Sequence, residues 1–494
     1  MNFSFLNQEN NGWLNSWRPY FIIFALGFLL YSQTLFFDYT YFDDSTLILE
    51  KIDILQDLKN LPKVFSTDAF FSSDRFYYRP LLNLSFMFDA QWGGALPFFY
   101  HFTNILMHCL AVALLFYVLK FLLKKQALAL FLSLVFLIHP VLTQAVAWLP
   151  GRNDSLLAIF VLASFALFLK FCDRPRLLYY IGYLFFLFMS LLSKESAAVL
   201  PLLVIYYFYF IGRNKLAGSD KLLLVLGSIT TGFIWFLMRH FALGGEPTDF
   251  IAAFIGVIHN LPAILVGLGK IILPVNLSVL PVLADSTIIY GVIIFIALIY
   301  FIFKSREKRW SFLIFGLIWF LLFLLPSFIR LNTLPDFLEH RLYVPLIGFF
   351  IIIAEIDYIK NLDFTKKNIQ YISLGILTIL ASISLFHSTV FRNRLVFWEA
   401  AAQSSPHSPL AQRNLGAMYY FEGNYEAAQK YYFRALKLNP NEEMVHNNLG
   451  VIYMELKKYD LAKEAFLTEL QINPGYDKAV ANYNRLLILE KKLR

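Results

Sequence analysis

Cysteine is almost missing from this chain, with two in 494 residues. That excludes a disulfide scaffold and a cysteine-built zinc site. Charge is scarce too: 15% of residues are charged, where soluble domains carry about 25%. So little charge excludes a disordered chain, a charge-flanked coiled coil and a soluble enzyme. What fills the space is apolar. Hydrophobic residues make up 58%, with 53 Phe and 28 Tyr, and the mean hydropathy is +0.59. A net charge of +8 would suit a nucleic-acid partner if it formed one patch. Instead, the basic residues sit in short clusters between apolar runs, which is the pattern that orients membrane spans. The sequence is that of an integral membrane protein with no nucleic-acid partner.

About 20 apolar residues cross roughly 30 Å of hydrocarbon. Eleven such runs begin near Pro19, Pro97, Ala127, Ser155, Leu177, Ser196, Leu222, Thr287, Ser311, Leu342 and Gln370. The first lacks a small-residue cleavage site and reads as an uncleaved span. Lys120, Lys124 and Lys125 follow the second run, and Lys170, Arg174 and Arg176 the fourth. Arg213, Lys215 and Lys221 follow the sixth, Lys304, Arg306, Lys308 and Arg309 the eighth, and Lys360, Lys366 and Lys367 the tenth. The intervening loops hold one or two bases each, such as Arg152, Lys194 and Arg330. The positive-inside rule makes the rich loops cytoplasmic, so the N-terminus lies inside and the C-terminus outside. Residues 249–285 are apolar but broken by Pro262, Pro274 and Pro281. They read as a re-entrant or interfacial pair of helices on the outer side, with two full crossings as the alternative.

Charge returns after Arg392. There a 34-residue period appears: Pro406, Pro440 and Pro474; Leu415-Gly416 and Leu449-Gly450; Tyr425 and Tyr459; Ala428 and Ala462. This resembles the tetratricopeptide repeat, in which small and aromatic positions interlock two antiparallel helices. Two repeats cover Ser405–Asn473, and Tyr476–Lys492 reads as a capping helix. Arg392–Ser404, with Trp398, reads as a preceding half-repeat. The expected division is a membrane domain over 1–391 and a repeat domain over 392–494. Such repeats hold peptides or proteins; a dimerisation platform is the alternative.

The longest polar stretch of the membrane domain is the first outer loop, residues 38–96, with nine acids and five bases. It opens on Tyr-Phe-Asp43-Asp44-Ser. Of two adjacent carboxylates at a membrane mouth, one can serve as a general base. Alternatively, both can ligate a divalent cation.

Further motifs follow in order. Tyr78-Arg-Pro-Leu-Leu-Asn leads to Trp92-Gly-Gly, and Pro97 to Asn104 and His108. Then come His139-Pro, Trp148-Leu-Pro-Gly151-Arg-Asn-Asp154, Leu192-Ser-Lys-Glu195, and Glu339-His-Arg341-Leu-Tyr343-Val-Pro345. Together with the repeats, this order resembles the transmembrane tetratricopeptide-containing O-mannosyltransferase-like proteins, of the GT-C class of polyprenyl-phosphate-sugar-dependent glycosyltransferases. The resemblance runs from about Phe37 to Asn484. It implies an all-α fold, a polytopic bundle of about 11 membrane helices followed by the helical repeats.

The resemblance implies a candidate base at Asp43 with Asp44 as its partner. Arg79, Arg152, Lys194 and Arg341 fall at the outer face as candidate partners of a lipid phosphate, since a leaving phosphate needs cations. Tyr78, His101, His108, Asp154, Glu195, Glu339 and Tyr343 are candidate site-lining residues; His101 and His108 lie on one helical face without zinc-like spacing. The implied function is inverting transfer of a sugar, mannose by the resemblance, from a polyprenyl-phosphate donor to a hydroxyl, Ser or Thr of a protein, at the outer surface. A monophosphate donor favours metal-independent transfer, with Mg or Mn at the acidic pair as the alternative. Two other readings stand beside it: an enzyme acting on an envelope glycan or lipid, and a non-catalytic scaffold recruiting partners through its repeats. The expected location is a bacterial inner membrane with periplasmic repeats, or else the endoplasmic reticulum membrane.

Overall fold

Apolar runs lacking water partners must satisfy their backbone groups internally, so they coil. A computed structural model describes residues 12–72, 77–212, 216–244, 250–329 and 337–493, and among these every regular element is a helix. The chain divides into two compact units.

The first unit holds α1 (Arg18–Tyr31), α2 (Pro80–Gly93), α3 (Pro97–Leu123), α4 (Gln126–Leu137), α5 (Arg152–Asp173) and α6 (Leu177–Ser193). It continues with α7 (Gly218–Leu243), α8 (Phe250–Asn260), α9 (Pro262–Ile272), α10 (Ile289–Lys304), α11 (Trp310–Leu324), α12 (Pro345–Ile353) and α13 (Lys367–Ser388). Helix α5 is the centre: it packs on α3 and α6 and buries Leu162, Phe165, Phe168 and Leu169. By contrast α13 is apolar but scarcely covered by protein, as expected of a helix facing lipid.

The chain is an integral, multi-pass membrane protein. By length and composition six of the described helices can cross a membrane, or eight if two bent pairs each count as one span. That measure does not confirm the expected count of about 11, because it passes over helices that are short or broken. Helix α6 has 17 residues, about 25 Å at 1.5 Å per residue, short of the hydrocarbon thickness. Similarly, α10 and the run Glu195–Ile211 stay below span length. Helices α8 and α9 meet at 43° with Pro262 opening α9, a broken pair where the sequence placed one. The expected bases Arg213, Lys215 and Arg330 lie outside the described residues.

The second unit contains α14 (Arg394–Ser404), α15 (Pro409–Phe421), α16 (Tyr425–Leu438), α17 (Val445–Glu455), α18 (Tyr459–Ile472) and α19 (Asp477–Leu493). The repeat has a steric cause. A Cβ on Gly416 would meet the Tyr432 ring at 2.8 Å, and one on Gly450 would meet the Phe466 ring at 2.6 Å. Each glycine thus makes room for the aromatic ring of the following helix. Ser408 and Asn424 cap α15 and α16 by accepting from the amides of Ala411 and Ala427.

The second unit runs from Asn393 and also takes in Ser278–Ser286. Ser278 Oγ lies 2.8 Å from Ser404 Oγ, Ser405 Oγ donates to Leu280 O (2.7 Å), and His407 Nδ1 lies 2.5 Å from Asp285 Oδ1.

Candidate functional site

Three cations converge in the first unit. Arg79 precedes Pro80 at the start of α2, Lys194 follows the last residue of α6, and Arg341 sits in the short 3-10 turn Glu339–Leu342. Arg79 Nε meets Glu195 Oε2 at 3.2 Å, its guanidinium lies over the Tyr77 ring, and the Tyr78 amide donates to Glu195 Oε1 at 3.2 Å. With the Asn153 amide turned to satisfy both neighbours, its oxygen accepts from Arg79 (3.1 Å) and its nitrogen donates to Ser193 O (2.7 Å). Lys194 Nζ donates to Asp154 Oδ1 at 2.6 Å, and His340 Nε2 stands 3.8 Å from Asp154 Oδ2. Arg341 donates to Ser327 O at 2.9 Å.

Electrostatics confirm that the groups share one environment. Burial pulls Lys194 below the usual lysine value; Asp154 opposes this, while Arg79 and Arg341 reinforce it. Burial also takes His340 down to about 3; Asp154 opposes that, and Lys194, Arg341 and Arg79 add to it. With His340 neutral, Asp154 pairs with Lys194 and Glu195 with Arg79, and Arg341 stands near both cations. Three cationic side chains gathered where water is sparse are groups that can meet an anion.

The acidic loop comes to this cluster through aromatic rings. Phe42 stacks on Trp148 (centroids 5.3 Å apart, 27° between planes), and Trp148 lies 5.5 Å from the His340 ring. Asp43, half-buried, follows Phe42 at the start of the one-turn helix Asp44–Leu47, which packs on the turn Leu149–Gly151. Asp44 faces the other way. It is 1% exposed, and its oxygens accept from Thr40 N (2.7 Å), Thr40 Oγ1 (2.8 Å) and Phe42 N (3.2 Å). Burial raises its pKa and these hydrogen bonds pull it back. Asp44 therefore shapes the loop, whereas Asp43 is the less buried member of the pair. Among the described residues no three His, Cys, Asp or Glu side chains gather as metal ligands.

Arg152 lies apart from the cation cluster in its bonding. It is wholly buried, pairs with Asp89 at 2.6 Å, and donates to Asn104 Oδ1 (2.7 Å), Ser85 Oγ (3.2 Å) and Tyr100 O (2.7 Å). The backbone before it is tight: a Cβ on Gly151 would lie 2.4 Å from Gln144 O. Arg152 ties α2, α3 and α5 together. His108 is also structural, with Nε2 donating to Leu137 O (2.9 Å) and Nδ1 accepting from Tyr343 Oη (2.6 Å). His101 is buried edge-on against Phe37, and Glu339 is held by Lys270 at 2.6 Å.

Comparison with known proteins gives this arrangement a context. A model described as dolichyl-phosphate-mannose-protein mannosyltransferase matches residues 94–247, and tetratricopeptide repeat models match 409–442 and 445–476. Protein O-mannosyl-transferase F38B6.6 of Caenorhabditis elegans is 26% identical over 381 residues, covering 73% of this chain and 54% of that protein. Protein O-mannosyl-transferase TMTC1 of Mus musculus is 38% identical over 98 residues, 20% of this chain and 10% of the mouse protein. The chain is thus similar, in its membrane half and in its repeats, to the tetratricopeptide-containing O-mannosyltransferase-like proteins. It spans about half the length of the nematode relative and a tenth of the mouse one. A solved Archaeoglobus fulgidus oligosaccharyltransferase, tethered to an acceptor peptide, covers 87% of this chain and 60% of its own at 12% identity, with a TM-score of 0.40, too low to carry an argument.

In this chain Arg79, Lys194, Arg341, Asp154, Glu195 and Tyr78 come together, with Asp43 alongside. Arg152, Glu339, His101, His108 and Tyr343 serve other contacts. Sequence reasoning missed His340, Asn153 and Asp89. The first two stand next to named residues, and only Asp89 lacked a local signal. The depressed Lys194 makes a measurable prediction. Affinity for a monophosphate lipid should fall as pH rises through the lowered Lys194 pKa, below the ordinary value of 10.5, because the cation is lost there. Lys194→Arg should move that fall upward, since guanidinium stays charged. A pH profile of binding unchanged by Lys194→Arg would remove Lys194 from the site.

Proposed function

We propose that this chain is an inverting membrane glycosyltransferase that moves a sugar, mannose by family likeness, from a polyprenyl-phosphate donor to a protein Ser or Thr hydroxyl. The observation that carries the reading is the meeting of Arg79, Lys194 and Arg341 beside the Asp43 loop. Asp43 takes the hydroxyl proton while the acceptor oxygen forms its bond to the anomeric carbon. The bond from that carbon to the phosphate oxygen breaks on the opposite face, and the lipid phosphate departs with both bonding electrons. Its charge is met by Lys194 and the two arginines. Asp154 and Glu195 hold two of these cations in place. Arg152, committed to Asp89, positions the helices that carry the site. The repeats hold the acceptor near it and raise its effective concentration. Reaction and repeats lie at the outer face, the periplasmic side of a bacterial inner membrane.

The test is glycoproteomics of envelope proteins from a deletion strain against its parent. Hexose on Ser or Thr that disappears on deletion and returns with the intact gene, but not with Lys194→Met, supports the reading. An unchanged glycoproteome with altered envelope glycan or lipid would replace the acceptor. No chemical change at all would leave a scaffold.

A further inference from the structure

A broad apolar groove of about 820 Å³ runs between α1, α4 and α13 of the first unit, within the size range of ligand sites. Ile22, Ala25, Leu134, Leu377 and Ala381 line it, and α13 offers Ser373, Thr378 and Ser382 as its few polar groups. Its two ends differ. Near the α4 C-terminus it is tied shut: Gln33 Nε2 donates to Leu385 O (2.8 Å) and Ser388 Oγ (2.6 Å), and Ser384 Oγ donates to Ile138 O (2.6 Å). The other end lies at Ala127, Phe364 and Gln370. There all three walls begin, and each begins with cations: Arg18 as the first residue of α1, Lys124 and Lys125 before α4, Lys366 and Lys367 at α13.

Lys125 Nζ donates to Lys360 O (2.5 Å), and the exposed Lys366 stands 3.9 Å from Asp363. Among these described residues, five cations stand against that one acid, and the helix N-termini add partial positive charge of the same sign. An apolar trough with an anionic demand at one end describes one kind of occupant. We infer that the groove holds the acyl chains of an anionic glycerophospholipid, its phosphate at Arg18, Lys124, Lys366 and Lys367. By the positive-inside rule this is a lipid of the cytoplasmic leaflet. The polyprenyl donor does not fit the same place: its phosphate is proposed at Arg79, Lys194 and Arg341, beyond the closed end of the groove. The inference stands independently of the transferase reading.

Native mass spectrometry of the full chain, purified in mild detergent and titrated with phosphatidylglycerol, phosphatidylcholine of the same chains, or polyprenyl phosphate, tests it. The expected result is retention of phosphatidylglycerol over phosphatidylcholine, accompanied by a rise in Tm. Filling the groove with Ala25→Phe and Ala381→Phe should abolish retention, whereas Ile293→Phe on lipid-exposed α10 should leave it intact. Lys366→Gln with Lys367→Gln should weaken it by roughly tenfold or more. Should the filled groove fail to fold, this lysine pair decides alone, because it lies outside the apolar bundle. Unchanged retention in the lysine variant, equal retention of phosphatidylcholine, or displacement of phosphatidylglycerol by polyprenyl phosphate would each overturn the assignment.

Discussion

Asp43→Asn should lower sugar transfer by about 10²–10⁴-fold, the range for loss of a general base, and should leave the Tm within a degree or two. The amide keeps the shape of the side chain but cannot take the acceptor proton. Asp44→Asn should behave differently. Its carboxylate accepts from Thr40 N, Thr40 Oγ1 and Phe42 N while 1% exposed, and an amide would turn a donor towards a donor there. The expected cost is roughly 1–3 kcal/mol of stability, with activity falling only as the loop loosens. Transfer to a short peptide, measured beside thermal unfolding for both variants, separates base from brace. Wild-type transfer by folded Asp43→Asn would end the assignment.

The second large effect concerns Arg152. Replacing it with Met leaves Asp89, 2% exposed, as an unpaired buried carboxylate, and breaking such a pair costs about 3–5 kcal/mol. Three further acceptors, on Asn104, Ser85 and Tyr100, lose their donor as well. Asp89→Asn should destabilise in the same direction. The double variant Arg152→Met with Asp89→Leu should recover much of the loss, because neither buried charge remains to be compensated. Thermal unfolding in detergent reads all three. Strict additivity of the two single effects would mean that the pair is not coupled. A transfer defect in Arg152→Lys at unchanged Tm would return Arg152 to the phosphate site.

Local sums decided much of this protein without any structure. Hydropathy and the scarcity of charge fixed a membrane protein, because twenty neighbouring residues suffice to cross a bilayer. The 34-residue period identified the repeats, because Gly416 with Tyr432 and Gly450 with Phe466 meet at fixed short separations. Arg79, Lys194 and Arg341 were legible as charges at the ends of apolar runs for the same local reason: each lies beside the end of a helix or in a short turn. Four things were decided only by tertiary structure. Arg152 looks in sequence like the other three, yet Asp89 on another helix claims it. The Asp43–Asp44 pair looks symmetrical in sequence, until the turn at Thr40 directs one carboxylate inward. His340 gains its place only when Phe42, Trp148 and Asp154 arrive from two distant segments. The loop Ser278–Ser286 reads as a link between membrane helices, but Ser405 and His407 take it into the repeat unit. The physical reason is common to all four. Burial and periodicity are properties of neighbours along the chain, whereas the partner of a charge is whichever group the fold brings within hydrogen-bonding distance, at whatever separation in sequence.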